Sequence, residues 1–253
     1  MNTPKTVVKG RGATLNVAGR FESKDTAWFD DGWGEDEAIE RAEKRPKTVI
    51  HIETARSIIS RNESPDIRFD QSINPYRGCE HGCIYCYARP SHSYLNLSPG
   101  LDFETQLFAK RNAAALLRKE LSKKGYVVSP INLGANTDPY QPIEKTERIT
   151  RGLIEVLAEC NHPITIVTKN ALIVRDLDLL APMAEKKLVN VFISISQLDN
   201  DLTRILEPRA STPVNRLRAI KALTDAGIAT TVLVAPIIPF INDEFIERVL
   251  GRR

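Results

Sequence analysis

The sequence predicts an α/β protein built as a parallel barrel of βα units, or as part of one. Three observations lead there. From residue 126 onward, short apolar runs alternate with segments of helical period; the runs read as buried parallel strands; and the chemically distinctive residues fall at the carboxyl ends of those runs, where such barrels carry their functional loops.

Taken in order, residues 1–64 form an extension and residues 65–253 the core. Residues 5–20 (KTVVKGRGATLNVAGR) carry Lys5, Lys9, Arg11 and Arg20 with three glycines and no acid, as expected of a flexible or extended arm. The acidic stretch from Asp25 to Glu43 holds Trp28 and Trp33, and reads as a solvated extension packed on the core through its aromatics. A basic arm reaching for phosphates is the sharper alternative for the segment before it. A first strand is expected near Ile73, then a helix from Phe108 to Leu121, and strands over 126–136, 163–170, 188–196 and 228–239. Between them Ile149, Leu153, Val156 and Leu157 share one helical face. A helix started by Thr212 and Pro213 presents Leu217, Ile220 and Leu223 before Gly227 ends it. Five βα units result, the last helix being drawn in residues 240–253.

Composition limits the function. A chain of 253 residues with 42% hydrophobic and 26% charged content buries one substantial core. Its formal net charge of +3 falls short of the dense positive field that would itself argue for nucleic-acid binding. Four cysteines, three of them crowded together, make no disulfide framework, and no signal peptide or membrane-spanning run is evident, so a reducing cytoplasm is expected.

The chemistry concentrates in NPYRGCEHGCIYCYARPSH, residues 74–92, where Cys79, Cys83 and Cys86 occupy an x3, x2 spacing. Cys160 lies far along the chain, at the end of an apolar-faced helix, and reads as a buried small hydrophobe. Two chemistries suit three thiolates: a zinc site completed by His81 or His92, or an iron–sulfur cluster with one corner left for another ligand. Gly78 and Gly82 suit a loop wrapped closely about a metal group. At the strand ends stand Asn136, Thr137 and Asp138, then Thr168 and Lys169, then Ser194 and Ser196, a set able to hold a carboxylate and an amine. Arg77, Arg89 and Arg209 suit a phosphate, a carboxylate or their own loops.

The cysteine spacing, with Tyr85 before the third cysteine and a βα domain behind, resembles the radical S-adenosylmethionine (SAM) superfamily. The cysteine loop together with GANTDPYQPIE (134–144), VTKN (167–170), LEPRASTPVNRLRAIKALTDAGI (206–228) and GRGA near the start is similar to its spore photoproduct lyase-related branch. The resemblance implies a partial parallel (β/α) TIM-like barrel of the radical SAM type, and a 4Fe-4S cluster on Cys79, Cys83 and Cys86 whose fourth iron binds the amine and carboxylate of SAM. It further implies reductive cleavage of SAM to a 5'-deoxyadenosyl radical for hydrogen abstraction, with a flavodoxin or ferredoxin as reductant and nucleic acid as a candidate substrate. By the same resemblance Lys169 with Ser194 or Ser196 would contact the SAM carboxylate and ribose. Thr137 and Asp138 would replace the usual glycine-rich segment, Tyr85 would pack near adenine, and Tyr87 would relay a hydrogen atom. Two departures stand out: the lyase's hydrogen-donating cysteine has no counterpart in Leu133 to Asn136, and no GGE segment is present. The family core has six βα units, so the barrel is expected to lack its last unit and to leave an open strand edge.

Overall fold

The computed structural model describes residues 10–19, 46–67 and 69–251. The acidic stretch with Trp28 and Trp33 lies outside them, as do Lys5, Lys9 and Arg20. Among the described residues the strands are β1 (Val49–Ile52), β2 (Ser60–Arg61), β3 (Gln71–Ile73), β4 (Tyr76–Arg77), β5 (Gln106–Ala109), β6 (Ile131–Leu133), β7 (Ile164–Thr168), β8 (Val189–Ser194) and β9 (Ala229–Leu233). The α-helices among them are α1 (Asp102–Thr105), α2 (Ala113–Leu121), α3 (Glu144–Glu147), α4 (Ile149–Glu159), α5 (Leu177–Glu185), α6 (Asn200–Leu206), α7 (Pro213–Asp225) and α8 (Ile246–Leu250).

The main sheet runs β2-β3-β6-β7-β8-β9. Its β3, β6, β7, β8 and β9 are parallel, and β2 pairs antiparallel with β3 at the edge. The expected five parallel strands are therefore present, in sequence order, as a partial barrel that is not closed among the described residues. A small second sheet, β1-β5-β4, stands beside it, with β1 parallel to β5 and β4 antiparallel.

Burial explains why these runs became strands. In β7, Ile164, Ile166 and Thr168 are buried while Thr165 and Val167 are half-buried; β8 repeats the pattern with Val189, Val191 and Ile193. One face of the sheet thus packs under the helices and the other lines the barrel interior. The α4 stripe of Ile149, Leu153, Val156 and Leu157 is buried as its period predicts.

Among the differences from expectation, two concern boundaries and two concern burial. Residues 126–136 yield only Ile131–Leu133, because Pro130 cannot donate to a ladder, and Val127 and Val128 stay exposed. The helix expected from Phe108 begins at Ala113, since Gln106–Ala109 extends to pair with β1. Helix α7 does begin at Pro213, but its fully buried positions include Arg216, Ala219 and Leu223, while Leu217 and Ile220 only flank the core. Cys160 is exposed rather than buried: α4 ends at Glu159 and the chain turns back through Asn161, at φ 47°, leaving the thiol beyond the packed face.

Candidate active site

The carboxyl ends of β6, β7, β8 and β9 and the loop following β4 enclose a cavity of about 350 Å³. The loop is shaped by two glycines at positive φ. A Cβ on Gly78 (φ +74°) would lie 2.6 Å from Leu107 Cδ2, and one on Gly82 (φ +66°) 2.8 Å from Glu104 Oε2. Neither position tolerates a side chain. Backbone bonds tie the loop down: Cys79 N donates to Phe103 O (2.9 Å) and Ile84 N to Leu206 O (3.0 Å). The Arg89 guanidinium donates to the Cys83 carbonyl (2.9 and 3.1 Å) and to Glu104 Oε1 (2.6 Å).

The loop brings Cys79, Cys83 and Cys86 to one wall of the cavity, with Tyr85 and Tyr87 beside them; Asp138, Lys169 and Ser194 line it from the strand ends. Lys169 Nζ donates to Ser194 Oγ at 2.6 Å, lies 5.8 Å from the centre of the Tyr85 ring and stands 3.7 Å from Glu207 Oε1. Asp138 accepts from Thr168 Oγ1 (2.7 Å), Lys169 N (2.7 Å) and Tyr140 N (2.8 Å), and faces His81 Nδ1 at 3.3 Å. Burial pushes the Asp138 carboxyl up, but the His81 ring and these donors more than offset it, and the group sits below the ordinary carboxylate value. Tyr87 is exposed, its hydroxyl donating to the Ala135 carbonyl.

Two expected residues do not face the cavity. Thr137 is buried and its hydroxyl donates to Tyr76 O (2.8 Å); the Ser196 hydroxyl donates to the Gln197 side chain. Each is drawn inward because a buried hydroxyl needs a partner, and the nearest lies behind the wall. Arg77, Arg89 and Arg209 are held by their own neighbours: Arg77 by both Glu53 oxygens, Arg89 by Glu104 and Arg209 by Glu80 at 3.0 Å.

Three further groups were not legible as site residues. Glu207 and Arg216, both about 1% exposed, pair behind Lys169, and the Tyr85 hydroxyl donates to Glu207. Glu104, fully buried, receives Gly12 N (3.0 Å), Ala13 N (2.8 Å) and Arg89, while Arg11 is buried with its guanidinium on Glu104 O (2.7 Å) and Pro46 O (3.0 Å). The arm's Arg11 therefore fastens the arm to α1 and to the segment before β1, and is not available to phosphate. The signals existed in sequence, as GRGA and LEPR, but no spacing rule tells which loop they meet.

The donor set suits an iron–sulfur cluster. Burial, then the neighbouring Asp138 carboxylate, pushes the Cys79 thiol well up; burial, then Glu207, pushes Cys83 up to about 12. Those two sulfurs ionise readily only against metal cations. Cys160 does not line the cavity, so the polypeptide offers three sulfurs there and no fourth. Of the two rings proposed to complete a zinc site, His92 lies outside the cavity and His81 lines it. His92 Nε2 donates to Gln106 O (2.9 Å) and its ring packs edge-on to Phe103, outside the cavity. His81 sits between Asp138 and Asn170, and among the described residues no three His, Cys, Asp or Glu side chains group about a single ion position.

His92 also makes a pH prediction. Burial holds its pKa below the ordinary 6.5, with the ring neutral in the fold. As pH falls through 6.5 the unfolded chain takes up the proton first, so stability is full above that value and declines below it until the depressed folded pKa is reached. His92→Leu should flatten the fall in melting temperature between pH 7 and 5; an unchanged slope would assign it to other groups.

A partial βα barrel with three thiols, a lysine and a carboxylate around one cavity at its strand ends suits a cofactor-dependent enzyme of the iron–sulfur class. The Radical SAM superfamily matches residues 73–252, and the chain belongs to that superfamily, whose members work with a 4Fe-4S cluster and SAM. An uncharacterised protein of Mycobacterium tuberculosis is 42% identical over 186 residues, covering 73% of this chain and 55% of that one. One from Methanocaldococcus jannaschii is 28% identical over 179 residues, covering 71% and 64%. The chain thus spans little more than half the length of these relatives. Among solved structures, spore photoproduct lyase complexed with dinucleoside spore photoproduct shares the fold at TM-score 0.56 and 19% identity, over 80% of this chain and 57% of that one. A variant of that lyase with bound AdoMet matches at TM-score 0.53 and 19% identity, over 74% and 51%.

Proposed function

We propose that Cys79, Cys83 and Cys86 hold a 4Fe-4S cluster, and that the enzyme cleaves SAM reductively to abstract a hydrogen atom from its substrate. The observation that carries this reading is the single cavity shared by the three thiols, the Lys169 ammonium and Ser194. When bound, cluster and SAM together supply a 5'-deoxyadenosyl radical. The protein's part is to orient and to exclude water. Lys169 and Ser194 receive the carboxylate of SAM, Tyr85 borders its adenine, and Asp138 fixes the β6 and β7 loop ends through the Lys169 amide. Tyr87, at the rim, stands where a hydrogen atom could be relayed to a substrate.

The core over residues 65–253 carries this machinery, and the extension over 1–64 serves it through its described residues, of which Gly12 and Ala13 are tied to Glu104 and Ile58 to Glu120. A flavodoxin or ferredoxin-type reductant delivers the electron, in the cytoplasm; among the described residues no helix is long and apolar enough to cross a membrane. Nucleic acid is the substrate class to test first, because the lyase sharing this fold holds a dinucleoside spore photoproduct. That lesion itself is disfavoured by the lack of a cysteine in Leu133 to Asn136. Anaerobically reconstituted protein should be brown, bind about four irons per chain and release 5'-deoxyadenosine from SAM on reduction. Colourless protein carrying one divalent ion and indifferent to SAM would overturn the reading.

A further inference from the structure

The segment Leu206–Arg209 has no part in the chemistry above, yet it splints the cysteine loop to the lysine wall. Leu206 O accepts Ile84 N (3.0 Å), Arg209 N donates to His81 O (3.1 Å), and the Arg209 guanidinium holds Glu80. Between them Glu207 is buried. Its Oε1 accepts the Tyr85 hydroxyl and faces Lys169 Nζ at 3.7 Å; its Oε2 pairs with Arg216. Arg216 is itself fixed by Ser211 O (2.7 Å) and by Ser194 O (2.7 Å), the residue whose hydroxyl receives Lys169.

We infer that Glu207 is a positioning residue: locked by Arg216, its carboxylate orients the Lys169 ammonium for a carboxylate-bearing ligand in the cavity. The inference rests on the reading of Lys169 as partner of the SAM carboxylate. Two effects of Glu207 oppose each other. Its charge repels an incoming carboxylate, and its contact holds a long, otherwise mobile side chain in place. Arg216 cancels the first, since the buried pair is neutral as a unit, and leaves one net positive charge at the wall on Lys169. Orientation therefore dominates, and a prearranged lysine need not be ordered when the ligand arrives.

Two variants separate positioning from folding. Glu207→Asp keeps a charge for Arg216 but withdraws it from Tyr85 and Lys169. The pair Glu207→Gln with Arg216→Met removes both charges, so that no unpaired ion is left buried. SAM and decarboxylated SAM are the probes, measured by equilibrium dialysis against the reconstituted protein, with iron content and melting temperature recorded alongside. The paired variant should bind SAM about tenfold more weakly, Glu207→Asp less so. Decarboxylated SAM should bind both as it binds the parent, and adding Lys169→Met to the paired variant should cost little more. If either folded variant binds SAM as the parent does, or loses both ligands equally, Glu207 is structural only. If Lys169→Met alone leaves SAM binding intact, it is the assignment of Lys169 that falls.

Discussion

Cys83→Ala is expected to leave the reconstituted protein colourless and to reduce SAM cleavage by more than about a hundredfold, beyond the range typical of residues behind a metal's ligands. The substitution isolates the thiol. Arg89 holds the loop through the Cys83 carbonyl and Glu104, and Ile84 N is anchored on Leu206 O, so the backbone keeps its fastenings when the sulfur is gone. Cys160→Ala is the matched control, because that thiol is exposed at the end of α4 and should leave iron content and turnover unchanged. Retention of iron and of SAM cleavage by the Cys83 variant would displace it from the ligand set.

Glu104→Ala should be among the most destabilising single changes outside the apolar core. The carboxylate is fully buried and answers two backbone amides of the arm and the guanidinium of Arg89, which is itself only 12% exposed. Removing one partner of such a set leaves a largely buried cation unpaired, at a cost of about 3–5 kcal/mol. For a domain of this size the melting temperature should fall by roughly 10 °C. Glu120→Ala provides the contrast: its buried carboxylate receives Ile58 N (2.7 Å) and Ile59 N (3.2 Å) but, among the described residues, no cation, so about 1–3 kcal/mol is expected. Gly12→Val tests the same junction from the other side, since its Cβ would fall 1.8 Å from the Gly82 carbonyl oxygen. It should reduce iron retention in air even where the fold survives. Equal melting temperatures for the Glu104 and Glu120 variants would show that the arm does not brace the loop.

Much of this molecule is local in its causes and was open to reading from the residues. The strands β6, β7 and β8 follow from apolar runs that fold largely buried, whereas β9, drawn from the same kind of run, is half-buried to exposed; the α4 stripe follows from its period, and the cysteine trio announces its chemistry by spacing and by the absence of a fourth cysteine nearby. Strand lengths were less legible, because an apolar stretch such as Val127–Val128 looks the same whether or not a neighbour pairs with it.

Sequence by itself determined the class of enzyme and the trio of sulfurs, since both depend on residue type and short-range order along the chain. Only the tertiary structure decided which side chains reach the cavity: it turned Thr137 and Ser196 inward, set Glu207 and Arg216 behind Lys169, and brought Arg11 from the far amino-terminal arm onto α1 and Gly12 onto the cysteine loop. Apart from Ser196, whose partner is the adjacent Gln197, those outcomes turn on buried polar groups finding partners across gaps of up to 122 residues, and such pairings are chosen by the geometry of the packed fold rather than by any neighbour in the chain.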